Sequence, residues 1–209
     1  MRRLNRGDVD VPACLVEFRH GEHTWDDVRA HKAEIHACLE QMQGRRCAYC
    51  EGPLDTLGQH VEHFRRKFHF PLLTFVWTNL YWSCDQKDSC GHFKDHGAGA
   101  YDVNDLIDPC SDDPDHFFRF RSDGTISVRQ GLSASDKRKA DETLRVLNLH
   151  PKWGRLRNMR KAALSNYVYL VDEASGFAPA ELQELFRDEL NAARHLPFST
   201  AIRHVLTAA

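Results

Sequence analysis

The chain has 209 residues and a formal charge of −2, with 28 Lys and Arg against 30 Asp and Glu. That balance excludes a chain-wide basic coat, so any polyanion site must be a local patch. With 42% hydrophobic and 28% charged residues, the composition is that of a folded globular chain with a sizeable core, in one or two domains.

Residues 1–24 read as irregular, broken by Gly7, Pro12 and Gly21. Met1–Arg6 is basic, but no apolar segment follows, so no secretory signal is expected. Thr24 is placed to cap a helix, with Asp26 and Asp27 in its first turn where the helix dipole favours acids. Val28, Ile35, Leu39 and Met42 then recur at helical spacing, and Gly44 ends the run. From Cys47 to about Lys94 the elements look short. Phe70–Val76, the longest strongly apolar run, is broken by Pro71 and Thr74. It is far below the roughly 20 residues a membrane span needs, so a cytoplasmic protein without membrane association is expected.

An acidic, Pro-broken connector runs from Asp108 to Asp115. Phe117–Arg121 and Ile126–Arg129 flank Asp123-Gly124, a favoured two-residue turn, which predicts a β-hairpin. Ser133 or Ser135 can cap a helix with Ala140, Leu144 and Leu147 on one face, stopped by Pro151. A second helix is predicted from about Trp153 to Tyr169. A third starts at Pro179, with Leu182, Leu185, Phe186 and Leu190 as its core face. Ser199 starts a last short helix through Ile202, Val205 and Leu206. The fold class expected is α+β, a small metal module set in a largely helical body.

Seven cysteines and thirteen histidines are a rich supply of metal donors. Cys47 and Cys50 form a C-x2-C pair, and Cys84 and Cys90 a C-x5-C pair, separated by 33 residues. In a reducing compartment such clusters read as metal ligands before disulfides. Two pairs can close one tetrahedral Zn2+ site, and four thiolates leave no open position, so that zinc staples the fold. Thiols that are buried and free are the alternative. The isolated Cys14, Cys38 and Cys110 are expected to serve packing.

Between the pairs lies Glu62-His63, a carboxylate beside an imidazole, followed by Asn79 and His92. Phosphodiester cleavage at one metal needs these residue types. An acidic ligand and a second ligand hold a hard cation with open positions, and an imidazole near neutral pKa takes a proton from water. A lone histidine is more often an ordinary surface or hydrogen-bonded residue. It is the ordered placement inside a cysteine frame that favours chemistry.

Cys47-x2-Cys50, Glu62-His63-Phe64, Trp77-x-Asn79-Leu80 and Cys84-x5-Cys90-Gly91-His92-x-Lys94-Asp95 resemble the HNH (ββα-metal, His-Me finger) nucleases with a four-cysteine zinc. More narrowly, Cys47–Glu51 and Glu62–Arg65 resemble the PtuB-type HNH components of Septu antiphage systems and of some retrons. The flanks fit too, with Asn5-Arg6 early, Trp25 before a helix, and Phe117 to Asp123-Gly124 followed by helices. The nuclease signature covers Cys47–Lys94, under a quarter of the chain.

The resemblance implies an N-terminal arm and helix over residues 1–44, a zinc-stapled ββα nuclease core over 45–108, and a hairpin and helical region over 109–209. The last is a possible partner or nucleic-acid surface. It implies that His63 is the general base, that Glu62 and His92 hold a catalytic Mg2+ or Mn2+, and that Asn79 orients the base. Two departures stand out. Gly91 follows the last cysteine where many members have Asn or His, and Arg66 replaces a common proline. His60, His69 and His96 lie nearby and could stand in as ligands.

Arg65, Arg66, Lys67 and Lys94 surround this site and are candidates for gripping phosphate, against the plainer reading of a solvated basic run. Residues 133–162 hold nine Lys and Arg against three acids, a second candidate nucleic-acid surface or a face for an acidic partner. The function expected is a metal-dependent endonuclease, with DNA favoured and RNA, including tRNA, also open. The resemblance implies that it acts as the effector of an antiphage complex with an ABC/AAA-type ATPase partner (PtuA-like); the chain has no Gly-rich P-loop of its own, so any ATP-driven control would come from elsewhere. Two alternatives remain: a stand-alone HNH restriction or mobile-element nuclease, and a non-catalytic zinc-stabilised adaptor that would need neither Glu62-His63 nor His92.

Overall fold

The computed structural model describes residues 1–150 and 154–208; a short 3-10 turn, Ala13–Glu17, interrupts the N-terminal stretch read as irregular, and the helical run that the capping residues predict begins at Trp25 behind Thr24. The Thr24 backbone N–H donates to Asp27 Oδ2 at 2.7 Å and its hydroxyl to the same oxygen at 2.9 Å. The run is not one α-helix. Trp25–His31 is wound as a 3-10 helix and passes directly into α1, Lys32–Gln43. Val28, Ile35, Leu39 and Met42 are all buried, and Gly44 closes α1 at φ 63°, a left-handed turn that glycine adopts without strain.

After the short α2, Leu54–Leu57, come β1, Gln59–His63, and β2, Leu80–Cys84, paired antiparallel with His63 opposite Leu80 and Gln59 opposite Cys84. Then α3, Cys90–His96, lies against β2. This is a ββα order, and it places Glu62 and His63 at the end of β1, Asn79 at the entrance to β2, and His92 on α3.

Beyond the connector, α4 spans Pro114–Phe117, and β3, Phe118–Phe120, pairs with β4, Ile126–Val128. The hairpin is where the sequence predicts it, but with shorter strands and a longer turn. Phe117 belongs to α4, and Arg121 N–H still reaches Thr125 O at 2.9 Å, so the turn occupies 122–124 rather than two residues. Gly124 sits at φ 81° against the backbone near Arg157 and Lys161; a Cβ there would meet Arg157 O at 2.3 Å, which is why this position excludes a side chain.

Ser133, not Ser135, caps α5, Ala134–Val146, accepting from Asp136 N–H at 3.1 Å. The predicted stop at Pro151 and the start near Trp153 lie outside the described residues. Helix α6 runs Arg155–Glu173, past the Tyr169 end the sequence suggests. Then α7, Pro179–Ala193, leaves Leu182, Leu185, Phe186 and Leu190 half-buried rather than fully enclosed, and α8, Ser199–Leu206, buries Ile202, Val205 and Leu206. The helical region braces the cysteine module directly. Phe198 N–H donates to Glu51 O at 3.1 Å, Arg46 donates to Leu196 O at 3.0 Å, and Cys90 N–H donates to Leu147 O at 2.8 Å.

Candidate functional site

Cys47-Ala48-Tyr49-Cys50 turns tightly, with Cys47 N–H bonded to Gly52 O and Glu51 N–H to Cys47 O, each at 3.0 Å. Gly52 N–H donates to Cys50 Sγ at 3.3 Å, and a Cβ at Gly52 would stand 2.6 Å from Leu57 Cδ1. Cys84 ends β2 and Cys90 opens α3, so a strand end and a helix start deliver the second pair. All four cysteines are buried and free of disulfides, and their sulfurs lie within 4.8 Å of one another. Burial opposes a charged thiol, yet hydrogen bonding from Cys50, Cys84 and Cys90 outweighs it and draws Cys47 well below the ordinary thiol range. Four buried cysteines are therefore placed to bind a metal. Cys14 is buried apart from them, and Cys38 and Cys110 are half-buried, as packing residues would be.

His63 is buried in edge-to-face contact with Trp25, ring centroids 4.5 Å apart. Its Nε2 lies 2.9 Å from Thr74 O. A carbonyl only accepts, so Nε2 carries the hydrogen and Nδ1 keeps its lone pair. Burial is the main cause that pushes the imidazole down to about 4, below the near-neutral value the sequence reading expects of the base, so it stands neutral at pH 7 with the Nδ1 lone pair uncovered by a proton. Asn79 fixes the chain just after this residue. Its Oδ1 accepts from Arg65 N–H at 2.7 Å and its Nδ2 donates to Arg65 O at 3.0 Å and Leu73 O at 3.1 Å. It holds the loop that follows His63 rather than the imidazole itself.

Glu62 is 3% exposed, with Oε1 2.7 Å from Lys94 Nζ and Oε2 3.3 Å from His60 Nε2. Burial would raise this carboxyl, but the Lys94 charge and the two hydrogen bonds overcome it and hold the group at about 2. His92, 31% exposed, meets Asp85 Oδ1 at 2.6 Å rather than Glu62 directly. Its ring stands 4.3 Å from that of His60. The structure thus places Glu62, His60, Asp85 and His92 around one corner of β1 and α3. His69 is exposed on the β1–β2 loop, and His96 stacks on His92 at 6.3 Å.

The basic residues are less free than their sequence suggests. Lys94 is 0% exposed and is held by Glu62, by Asp95 Oδ1 at 2.8 Å and by His63 O at 3.0 Å, so it does not face solvent phosphate. Arg66 pairs with Asp95 at 3.0 Å and lies over Tyr101; Arg65 bonds Asn104 at 3.1 Å. Lys67 is exposed, 5.8 Å above Trp25, beside a Phe68 that is 90% exposed. In the 133–162 stretch, Arg138 pairs with Asp105, Lys139 with Asp112, Arg145 with Glu142, Arg155 with Asp88 and Arg157 with Asp123, while Arg160 is buried on Gly124 O and Leu149 O. The local excess of cations is largely neutralised by acids from elsewhere in the chain.

Sequence reasoning passed over Asp85 and weighed His60 only as a substitute ligand. His60 carries a signal, because residues two apart on a strand share a face and Glu62 is its neighbour there. Asp85 carries none beyond following Cys84.

No family model matches the chain. It shows distant similarity, 26% identity over 58% of its length, to the Septu protein PtuB of Bacillus mycoides (strain KBAB4). The match covers 48% of that protein, so this chain spans about half the length of the curated relative it matches. Among the described residues, no helix is long and apolar enough to cross a membrane.

Proposed function

We propose that this chain is a metal-dependent HNH-type endonuclease that hydrolyses phosphodiester bonds in nucleic acid. The observation that carries the reading is the ββα arrangement itself. A neutral imidazole with a free Nδ1 sits at the end of β1, its loop is clamped by Asn79, a buried carboxylate precedes it on the same strand, and a histidine lies on the helix that follows β2. The distant similarity to PtuB supports a role in a Septu-type defence system.

In this mechanism His63 Nδ1 takes a proton from a water molecule as the water oxygen attacks phosphorus, and the bond to the leaving oxygen breaks. Thr74 O fixes the tautomer and Trp25 the ring plane, so the base meets the water in one orientation. Lys67, exposed over Trp25, and Arg65 lie on this loop and would position the phosphate. A divalent cation, when bound, supplies charge stabilisation at the phosphoryl and leaving oxygens. Glu62 and His92 are the residues the family resemblance assigns to it. The four cysteines would hold Zn2+, whose closed tetrahedral shell suits a structural role.

The partner proposed is an ABC/AAA-type ATPase that restrains or delivers the nuclease within a larger complex. DNA is the favoured substrate. Co-purification with the product of the neighbouring gene, followed by incubation with plasmid DNA and total RNA with and without Mg2+ or Mn2+, tests the reading. Divalent-dependent cutting of either substrate supports it; intact substrates from the assembled complex under every condition contradict it.

A further inference from the structure

Outside the cysteine cluster, one corner of the molecule gathers donors that the family resemblance does not assign together. His60 on β1, Asp85 just after β2 and His92 on α3 each offer an atom, and the three lie within 4.8 Å of one another. His92 Nε2 is 2.6 Å and His60 Nδ1 3.6 Å from the same Asp85 oxygen. Two donors on one first-row ion, each about 2.1 Å from it, stand roughly 3–4 Å apart; the His60–Asp85 pair has that spacing, while His92 Nε2–H donates to Asp85 at 2.6 Å, a hydrogen bond that a bound ion would replace as the proton leaves.

Two further observations point the same way. His60 Nδ1 is buried and has no hydrogen-bond partner, a costly state for a polar atom unless something else satisfies it. His60 Nε2 lies 3.3 Å from the buried Glu62 carboxylate, whose oxygens only accept, so that nitrogen carries the hydrogen and Nδ1 presents its lone pair toward Asp85. A carboxylate holding the far nitrogen of an imidazole is the usual support of a metal-binding histidine. Gly91 completes the corner. A Cβ there would stand 2.4 Å from Glu62 Oε2 and 3.0 Å from His60 Nε2, so the glycine that departs from the family pattern is what lets His60 and Glu62 meet.

The geometry points to His60, Asp85 and His92 as the direct ligands of the divalent ion, with Glu62 acting on it through His60 as a positioning residue. Two imidazoles in the set favour a transition ion over Mg2+, which prefers oxygen ligands and keeps its waters. The inference deepens the nuclease reading, but it stands on ion binding and not on cleavage.

The test uses the full chain loaded with zinc and titrated with Mn2+, following loss of the free-ion electron paramagnetic resonance signal. Thiolates are poor partners for Mn2+, so the cysteine cluster stays out of the titration. One Mn2+ per chain is expected, weakened at least about tenfold by each of His60→Ala, Asp85→Ala and His92→Ala, and by less in Glu62→Gln. Paramagnetic broadening of the His60 and His92 imidazole signals in the unaltered protein provides a reading that needs no variant. Absence of a bound Mn2+ overturns the proposal. So does unchanged affinity in His60→Ala with loss of binding in Glu62→Gln, since Glu62 would then be the ligand. Binding as expected without cleavage of any nucleic acid leaves this site standing and removes the nuclease reading instead.

Discussion

Replacing Lys94 with methionine removes the ammonium from the most enclosed ionic contact of the site. Lys94 is 0% and Glu62 3% exposed, and their charged atoms are 2.7 Å apart. The same ammonium also meets Asp95 at 2.8 Å and His63 O at 3.0 Å. Taking one partner from a buried pair leaves the other charge uncompensated and costs about 3–5 kcal/mol. With a urea dependence of about 2 kcal/mol/M, the unfolding midpoint should fall by about 2 M. Pairing Lys94→Met with Glu62→Leu removes both charges and should restore most of that stability. Equilibrium urea unfolding of the zinc-loaded protein, followed by tryptophan fluorescence, reads both variants. A single variant within about 1 kcal/mol of the parent, with nucleic-acid affinity and its salt slope reduced, would refute the reasoning, because it would mean that Lys94 faces phosphate.

Metal analysis should find one zinc per chain, and Cys84→Ser should cost folding as well as zinc, because metal-binding energy in such a module is folding energy; a folded, zinc-free variant would contradict this. Asn79→Ala leaves Arg65 N–H without its partner, so thermal denaturation should show a loss of about 1–3 kcal/mol together with slower cleavage, and unchanged stability would exclude the clamp. Burial raises Asp115, but hydrogen bonds from His204 and Arg203 outweigh it and hold the carboxyl below its ordinary range. A depressed carboxyl adds stability that is present above its unfolded value and lost as pH falls. The gap in Tm between the parent and Asp115→Asn should therefore be open at pH 7, begin to narrow only as pH falls below about 4 and close further down, and a gap that stays constant as pH falls below about 4 would contradict it.

The elements governed by local chemistry were legible. Thr24 and Ser133 cap where expected, Gly44 and Gly124 take left-handed turns, and the spacing of Cys47, Cys50, Cys84 and Cys90 anticipates the buried cluster. What depended on distant chain segments was not. Lys94 reads as one more surface cation until β1 is laid beside α3 and Glu62 meets it. The basic stretch of 133–162 reads as a patch because its partners Asp88, Asp105, Asp112 and Asp123 lie in other elements. Asn79 was expected to orient the imidazole; instead it grips the backbone of Arg65, a contact fixed only by the path of the β1–β2 loop. Asp85 enters the site because β2 ends where α3 returns, which no local pattern announces.

The role of His63 as general base is tested most directly by single-turnover cleavage with the assembled, zinc-loaded protein and its His63→Ala variant under saturating divalent ion. Loss of the base should slow the chemical step by roughly 10²–10⁴-fold, with zinc content, folding and partner binding unchanged and no recovery from added metal. A His63→Ala protein that cuts at the parent rate would contradict the mechanism.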